Sequence, residues 1–306
     1  MSDWGWETTT DEVLAGFDLA DKVAVVTGST TGLGRETARA LGAHGAHVIC
    51  TGRTQDKADE TVAGLGDALS GAPISAEGVA LQLDSLHSVR SATDVILERH
   101  PRIDILVANA GVMACPLGRT IEGFELQFGT NHLGHFLFTG RLLPALVAAP
   151  SPRIVNLSSG GHRIAGIDWD DPNFHERPYE KWQAYGQSKT ANILHALELQ
   201  HRYARAGLLA LSVHPGVIGT DLSRHLSRED LEGLRSRSTE VATRRKSIPA
   251  GAATSVWAAT APELADRGGS YLEDCGIGTP ADYAVDPASA SRLWDLSEEL
   301  VGESIG

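Results

Sequence analysis

Lys22-Val-Ala-Val-Val-Thr-Gly-Ser-Thr-Thr-Gly-Leu-Gly34 is the stretch on which the fold turns. The β-branched run is bounded by Asp21 and Gly28 and reads as a buried strand over 22–27. From Gly32 to about His44, Leu33, Ala38, Ala40 and Leu41 fall at helical spacing, and Gly45 stops the run. Gly28, Gly32 and Gly34 thus sit in a strand-to-helix turn with Ser29, Thr30, Thr31 and Leu33. Such a turn suits a diphosphate. Glycine permits positive φ and close approach, and the following helix turns its N–H groups and positive end toward the charge. The spacing is GxxxGxG, not the GxGxxG dinucleotide fingerprint. The position of the turn, opening a βαβ unit, gives it its weight.

Outward from this turn the alternation continues. Strands are expected at 47–51, 78–83, 103–108, 153–157 and 208–213, and helices at 55–69, 88–99, 122–147 and 182–205. Regular alternation of this kind predicts right-handed βαβ units and an α/β, Rossmann-type, doubly wound parallel sheet in three αβα layers. One domain over 1–306 is expected, with an N-terminal extension at 1–19. Two stretches interrupt the pattern. Residues 160–181 form a polar insertion, and the charge-dense 217–248 reads as a substrate loop or lid.

Composition narrows the function. With 26 Lys and Arg against 39 Asp and Glu the chain carries a net charge of −13, which disfavours nucleic acid as a partner. Apolar residues make up 42%, yet no run of roughly 18 lacks a charge, so no membrane anchor is expected. Met1-Ser-Asp-Trp-Gly-Trp6 has no signal-peptide pattern. Cys50, Cys115 and Cys275 are far apart and fit a reducing, cytoplasmic setting. No metal site is expected. His132 and His135 lack further ligands at a sensible spacing, and Asp168, Asp170 and Asp171 lack an EF-hand frame. His162 lies near Ser159, but no GxSxG elbow surrounds either serine of the 158–159 pair.

The carboxyl ends of the strands hold the candidate chemistry. The second strand runs into Thr51-Gly-Arg53 with no acid before Asp56. Arg53 either accepts a ribose 2′-phosphate where an acid would repel it, which makes NADP(H) preferred and leaves NAD(H) open, or is a solvated loop arginine. Asp84, followed by Ser85, is placed to accept from an adenine amino group or to cap the next helix. Asn109-Ala110-Gly111 ends the fourth strand, either lining the cofactor crevice or forming a plain tight turn. Tyr185 and Lys189, four apart on a helix, share a face, so the ammonium would favour the phenolate and make Tyr185 a general acid/base. Ser158-Ser159 follows the fifth strand, where a hydroxyl could hold a carbonyl oxygen or cap a loop. Asn131, polar among apolar neighbours, must find partners. Trp169, Phe174, Tyr179 and Trp182 either line a substrate mouth or pin the insertion.

TGxxxGxG at 27–34, NAG at 109–111, Asn131, IVNLSS at 154–159, YxxxK at 185–189 and HPG at 214–216 occur in order. The set resembles the short-chain dehydrogenase/reductases over about residues 20–275. The wide separation of Ser159 and Tyr185 is similar to the branch of retinol dehydrogenases, WW-domain oxidoreductases and protochlorophyllide reductases. The resemblance implies strand order 3-2-1-4-5-6-7 and a tetrad. Tyr185 exchanges the proton, Lys189 tunes it and holds the nicotinamide ribose, Ser159 orients the carbonyl, and Asn131 anchors a relaying water. It further implies that Pro215, Gly216, Ile218 and Thr220 fix the nicotinamide carboxamide and that Asn109 and Gly111 meet the adenosine side. The partner is then a small carbonyl or alcohol, and the chain a homodimer or homotetramer through the helices at 122–147 and 182–205. The same tetrad would also serve reduction of an activated C=C bond. A dinucleotide sensor without catalysis is the reading from another class, and it would not require Tyr185.

Overall fold

The computed structural model describes residues 4–67, 71–219, 230 and 245–305. The glycine turn lies where the sequence predicts it, between β1 (Val23–Val26) and α2 (Gly32–Ala43). Around them run β2 (His47–Gly52), β3 (Ala76–Ala80), β4 (Ile105–Ala108), β5 (Arg153–Leu157), β6 (Leu209–His214), β7 (Tyr271–Glu273) and β8 (Gly276–Ile277). Among the described residues these strands form one sheet in the order β3-β2-β1-β4-β5-β6-β7-β8. Strands β1 to β7 pair in parallel, as predicted, and β8 adds an antiparallel edge on β7. The order reverses between β1 and β4, which opens a crevice at their carboxyl ends.

Alternate residues of the strands feed two cores. Ala24, Val26, Val48, Cys50, Ile105 and Val107 face α2 and α8 (Ile248–Thr260), burying Leu41, Val256 and Trp257. Val25, Ile49, Leu106 and Ile154 face the other way. They pack under α4 (Leu86–Arg99), α6 (Gly134–Val147), α7 (Lys181–Tyr203) and α9 (Pro287–Val301). Each large side chain so buried is worth about 1.5–3 kcal/mol, so sheet faces and helices specify each other. On the first face the short α1 (Thr10–Val13) packs against α8, and Trp4 stands edge-on to Trp257 at 6.4 Å.

Three boundaries move. The third strand starts at Ala76, not 78, because its register is set by β2 (Val48 opposite Ala76) rather than by its own weak strand formers. The helix expected over 55–69 is α3 (Gln55–Ala63), capped at Gly64. The helices expected over 122–147 are joined by a turn. A short α5 (Leu126–Phe128) is followed by a π-helical turn, Gly129–Leu133, and only then by α6. Glu125 starts this segment by accepting from the N–H groups of Gln127 and Phe128. The amide of Asn131 then bonds both main-chain groups of Val112, a demand that widens the turn.

Candidate active site

The nucleotide end is built by packing glycines against backbone. Gly28 and Gly32 have φ of 63° and 56°, the left-handed conformation that side chains resist. A Cβ on Gly28 would strike Ala110, and one on Gly34 would drive into the carbonyl of Gly28 and the amide of Asn109. Thr31, at the N-cap of α2, makes no side-chain capping bond, so the turn retains N–H groups for an anion. A diphosphate therefore fits this cradle. Thr30 is half-buried and Thr31 exposed, whereas Ser29 is buried with its N–H and hydroxyl both on the Thr51 carbonyl. The Asn109 side chain donates to the carbonyls of Thr27 (2.8 Å) and Gly28 (3.3 Å), tying β4 to the turn. Leu33 and Ile218 meet where a Cβ on Gly251 would sit. Arg53 is exposed and makes no hydrogen bond or ion pair among the described residues. Ser85, not Asp84, caps α4, through Ser88 N–H. Pro215 and Gly216 are half-buried after β6, and Thr220 lies outside the described residues, as does most of 217–248.

At the chemical end β5 and α7 converge. The Ser158 hydroxyl donates to the Lys189 carbonyl (2.8 Å) and is thereby used in fastening helix to strand. Ser159 turns the other way. Its hydroxyl accepts from Gly161 N–H (3.1 Å), and Ser159 Oγ and the Tyr185 ring both border Gly161. Gly161 lies flat against the Tyr185 ring, where any side chain would collide. Lys189 Nζ stands 5.7 Å from the ring centroid and donates to the Leu157 carbonyl at 3.1 Å. Gly111 lies beside both the Asn131 amide oxygen and Lys189 Nζ, so a Cβ there would crowd the two. Asn131 also donates to Ser188 Oγ (2.9 Å), and its carbonyl faces His135 Nδ1 (3.0 Å). The loop ends after β4 and β5 thus bring together Asn131, Ser159, Tyr185 and Lys189.

Burial controls the charges. Tyr185 is 3% exposed and its phenol is pushed up to about 12, with Ser159 pulling it partly back. Burial lowers Lys189 to about 8. The spacing of Tyr185 and Lys189 predicts an ammonium that brings the phenol down. Within the protein's own groups burial instead raises the phenol and lowers the ammonium, which favours the neutral form of each.

Several contributors are invisible to motif reading. His214 Nδ1 accepts from the N–H groups of Gly160 and Gly216, joining the loops after β5 and β6, and burial lowers its pKa to about 4. His135 bonds Thr27 Oγ1 (2.8 Å), which itself accepts from the N–H groups of Asn109 and Ala110. Lys246 lays its stem over Gly216 and pairs with Asp274 at 2.5 Å beneath the Trp6 ring. His135 and His214 stand in short patterns, but the contacts that place them here come from distant parts of the chain, as do those of Lys246. The 160–181 insertion is pinned by Asp171, which accepts from the N–H groups of His175, Glu176 and Arg177, and by Arg119 on the Asn173 and Phe174 carbonyls. Phe174 and Tyr179 pack edge to face within it, Trp169 lies under Arg292, and Trp182 stands beside Tyr185.

The family model for short chain dehydrogenase matches residues 22–231. Human retinol dehydrogenase 13 is 40% identical over 288 residues, covering 93% of this chain and 86% of the relative. The short-chain dehydrogenase/reductase prx1 of Penicillium roqueforti is 39% identical over 303 residues, covering 94% and 87%. A crystal structure of a putative uncharacterized protein from Mycobacterium paratuberculosis superposes with a TM-score of 0.75 at 34% identity, over 99% of both chains.

Proposed function

Because the chain belongs to the short-chain dehydrogenase/reductase family, whose members are oxidoreductases, we propose that it interconverts a small alcohol and its ketone or aldehyde with NADP(H). The observation that carries this reading is the convergence of Ser159 Oγ and the buried Tyr185 ring on Gly161, with Lys189 Nζ over the ring and Gly111 and Asn131 beside that ammonium. The cradle of Gly28, Thr30, Thr31, Gly32 and Gly34, with Leu33 and Ile218 above it, would hold the dinucleotide, and Arg53 its 2′-phosphate. When bound, that dinucleotide supplies or accepts the hydride.

The protein's own residues then handle one proton. In reduction the phenol of Tyr185 gives its proton to the carbonyl oxygen, and in oxidation it takes the proton from the hydroxyl. Ser159 holds the same oxygen in line. Lys189, with a pKa near neutrality, sits where its protonated form offsets the phenolate. Asn131 fixes Val112 and Ser188, and so the backbone on either side of that pair. Its amide oxygen keeps a lone pair for the relaying water. Mixing the protein with NADPH and a panel of ketones and aldehydes, and following loss of reduced nicotinamide absorbance, tests the proposal. Tyr185→Phe is expected to lower kcat by ~10²–10⁴. Turnover equal to the parent's would overturn the mechanism.

A further inference from the structure

At the opposite ends of the strands from Tyr185, three side chains distant in sequence converge. His47 opens β2, Glu77 lies near the start of β3 beside it, and His100 caps the carboxyl end of α4. One ligand atom from each lies within 4.8 Å of the others. The imidazoles of His47 and His100 stack at 5.2 Å with planes 30° apart. His100 Nε2 meets Glu77 Oε1 at 2.7 Å, while Arg99 holds Glu77 Oε2 at 3.0 Å. His47 Nδ1 bonds Ser75 Oγ at 2.8 Å. Its Nε2 is enclosed and has no hydrogen-bond partner, a costly state for a polar nitrogen.

We propose that His47, Glu77 and His100 form a binding site for a divalent transition-metal ion of the zinc type, remote from the redox centre. Two imidazole nitrogens and one carboxylate oxygen are the donor set of zinc and its neighbours rather than of magnesium or calcium, which take oxygen ligands. The outer contacts are those of a metal site. Ser75 on Nδ1 orients the His47 ring so that Nε2 faces inward, and Arg99 fixes the far oxygen of Glu77. The ion replaces the proton between His100 Nε2 and Glu77 Oε1, and His100 keeps its neutral imidazole by carrying the proton on Nδ1. All three side chains are half-buried, so rotation can close the gaps to zinc–nitrogen distances of about 2.0–2.1 Å, and water completes the shell. The bound ion would clamp two strands and a helix end at the sheet edge, where β3 has no further strand beside it.

The test uses the full chain without a histidine tag, stripped of metal, and titrated with zinc chloride by calorimetry. One ion per chain is expected to bind, with a higher unfolding temperature. His47→Gln and His100→Gln are each expected to weaken binding ~10-fold or more. Absence of saturable binding, or affinity in both variants equal to that of the unmutated chain, overturns the site. Cobalt on the unmutated chain gives a reading independent of variant folding. An intense visible spectrum of a four-coordinate ion supports the site, and the weak spectrum of the hydrated ion overturns it.

Discussion

Side chains without partners among the described residues would carry the specificity of the proposed chemistry. Arg53 is exposed after β2 with no bond among the described residues, whereas Arg39, Arg90 and Arg141 are each held by carboxylates. A planar cation without an internal partner can give both of its N–H pairs to a 2′-phosphate. Arg53→Ala is therefore expected to raise the KM for NADPH by ~10-fold or more and to leave that for NADH unchanged. Equal effects on the two cofactors, measured by initial rates, would remove Arg53 from that role. Ser158 and Ser159 make the same point in reverse. Adjacent in sequence and identical in chemistry, they are separated only by strand alternation, which turns one onto the Lys189 carbonyl and the other onto Tyr185.

At the scale of elements, α9 alters what the family resemblance implies for assembly. The helices at 122–147 and 182–205 were expected to form the contact between copies. Within one chain α9 also packs against both of them. Trp294 packs on Phe136 at 5.0 Å and under Arg202 at 4.4 Å, Ser297 meets His132 Nε2 at 2.8 Å, and Glu303 pairs with Arg141 and Arg90. Residues 184–196 are buried throughout. A face already covered has little apolar area left to drive dimerisation. The purified chain is expected to sediment with the mass of a single chain. A stable dimer that crosslinks through α6 or α7 would contradict this.

Over the whole molecule, the helical layer on the α6 and α7 face and the loops after β5 and β6 enclose histidines held neutral. Burial lowers His135 to about 4 and His195 to about 3, and His214 likewise to about 4, from 6.5. His132 is pushed well down for the same reason. Between pH 6.5 and those lowered values the unfolded chain binds protons that the folded chain does not. Stability is thus fully present above pH 6.5 and is lost as pH falls toward 4. Each such histidine is expected to cost about 2 kcal/mol by about pH 5, so the denaturation midpoint drops steeply between pH 7 and 5. A midpoint that stays flat over that range would show that these imidazoles are open to water.

Local pattern determined much of this. Strand and helix periods, the glycine turn and the order of motifs are written in neighbouring residues, because φ/ψ limits and a single buried face act over a few positions. That gave the parallel sheet, the nucleotide cradle and the choice of Tyr185, Lys189, Ser159 and Asn131 as candidates, while the strand order came from the family resemblance. Other features depend on partners far away in the chain. The π turn exists because Asn131 answers Val112, Lys246 is held by Asp274 and Trp6, and the His47, Glu77 and His100 cluster needs two strands and a helix end to meet. The pKa of Tyr185 belongs with these. A sequence shows the cation one turn away but not the loss of water around the phenol, and it is desolvation, a property of the packed whole, that sets the larger part of the shift.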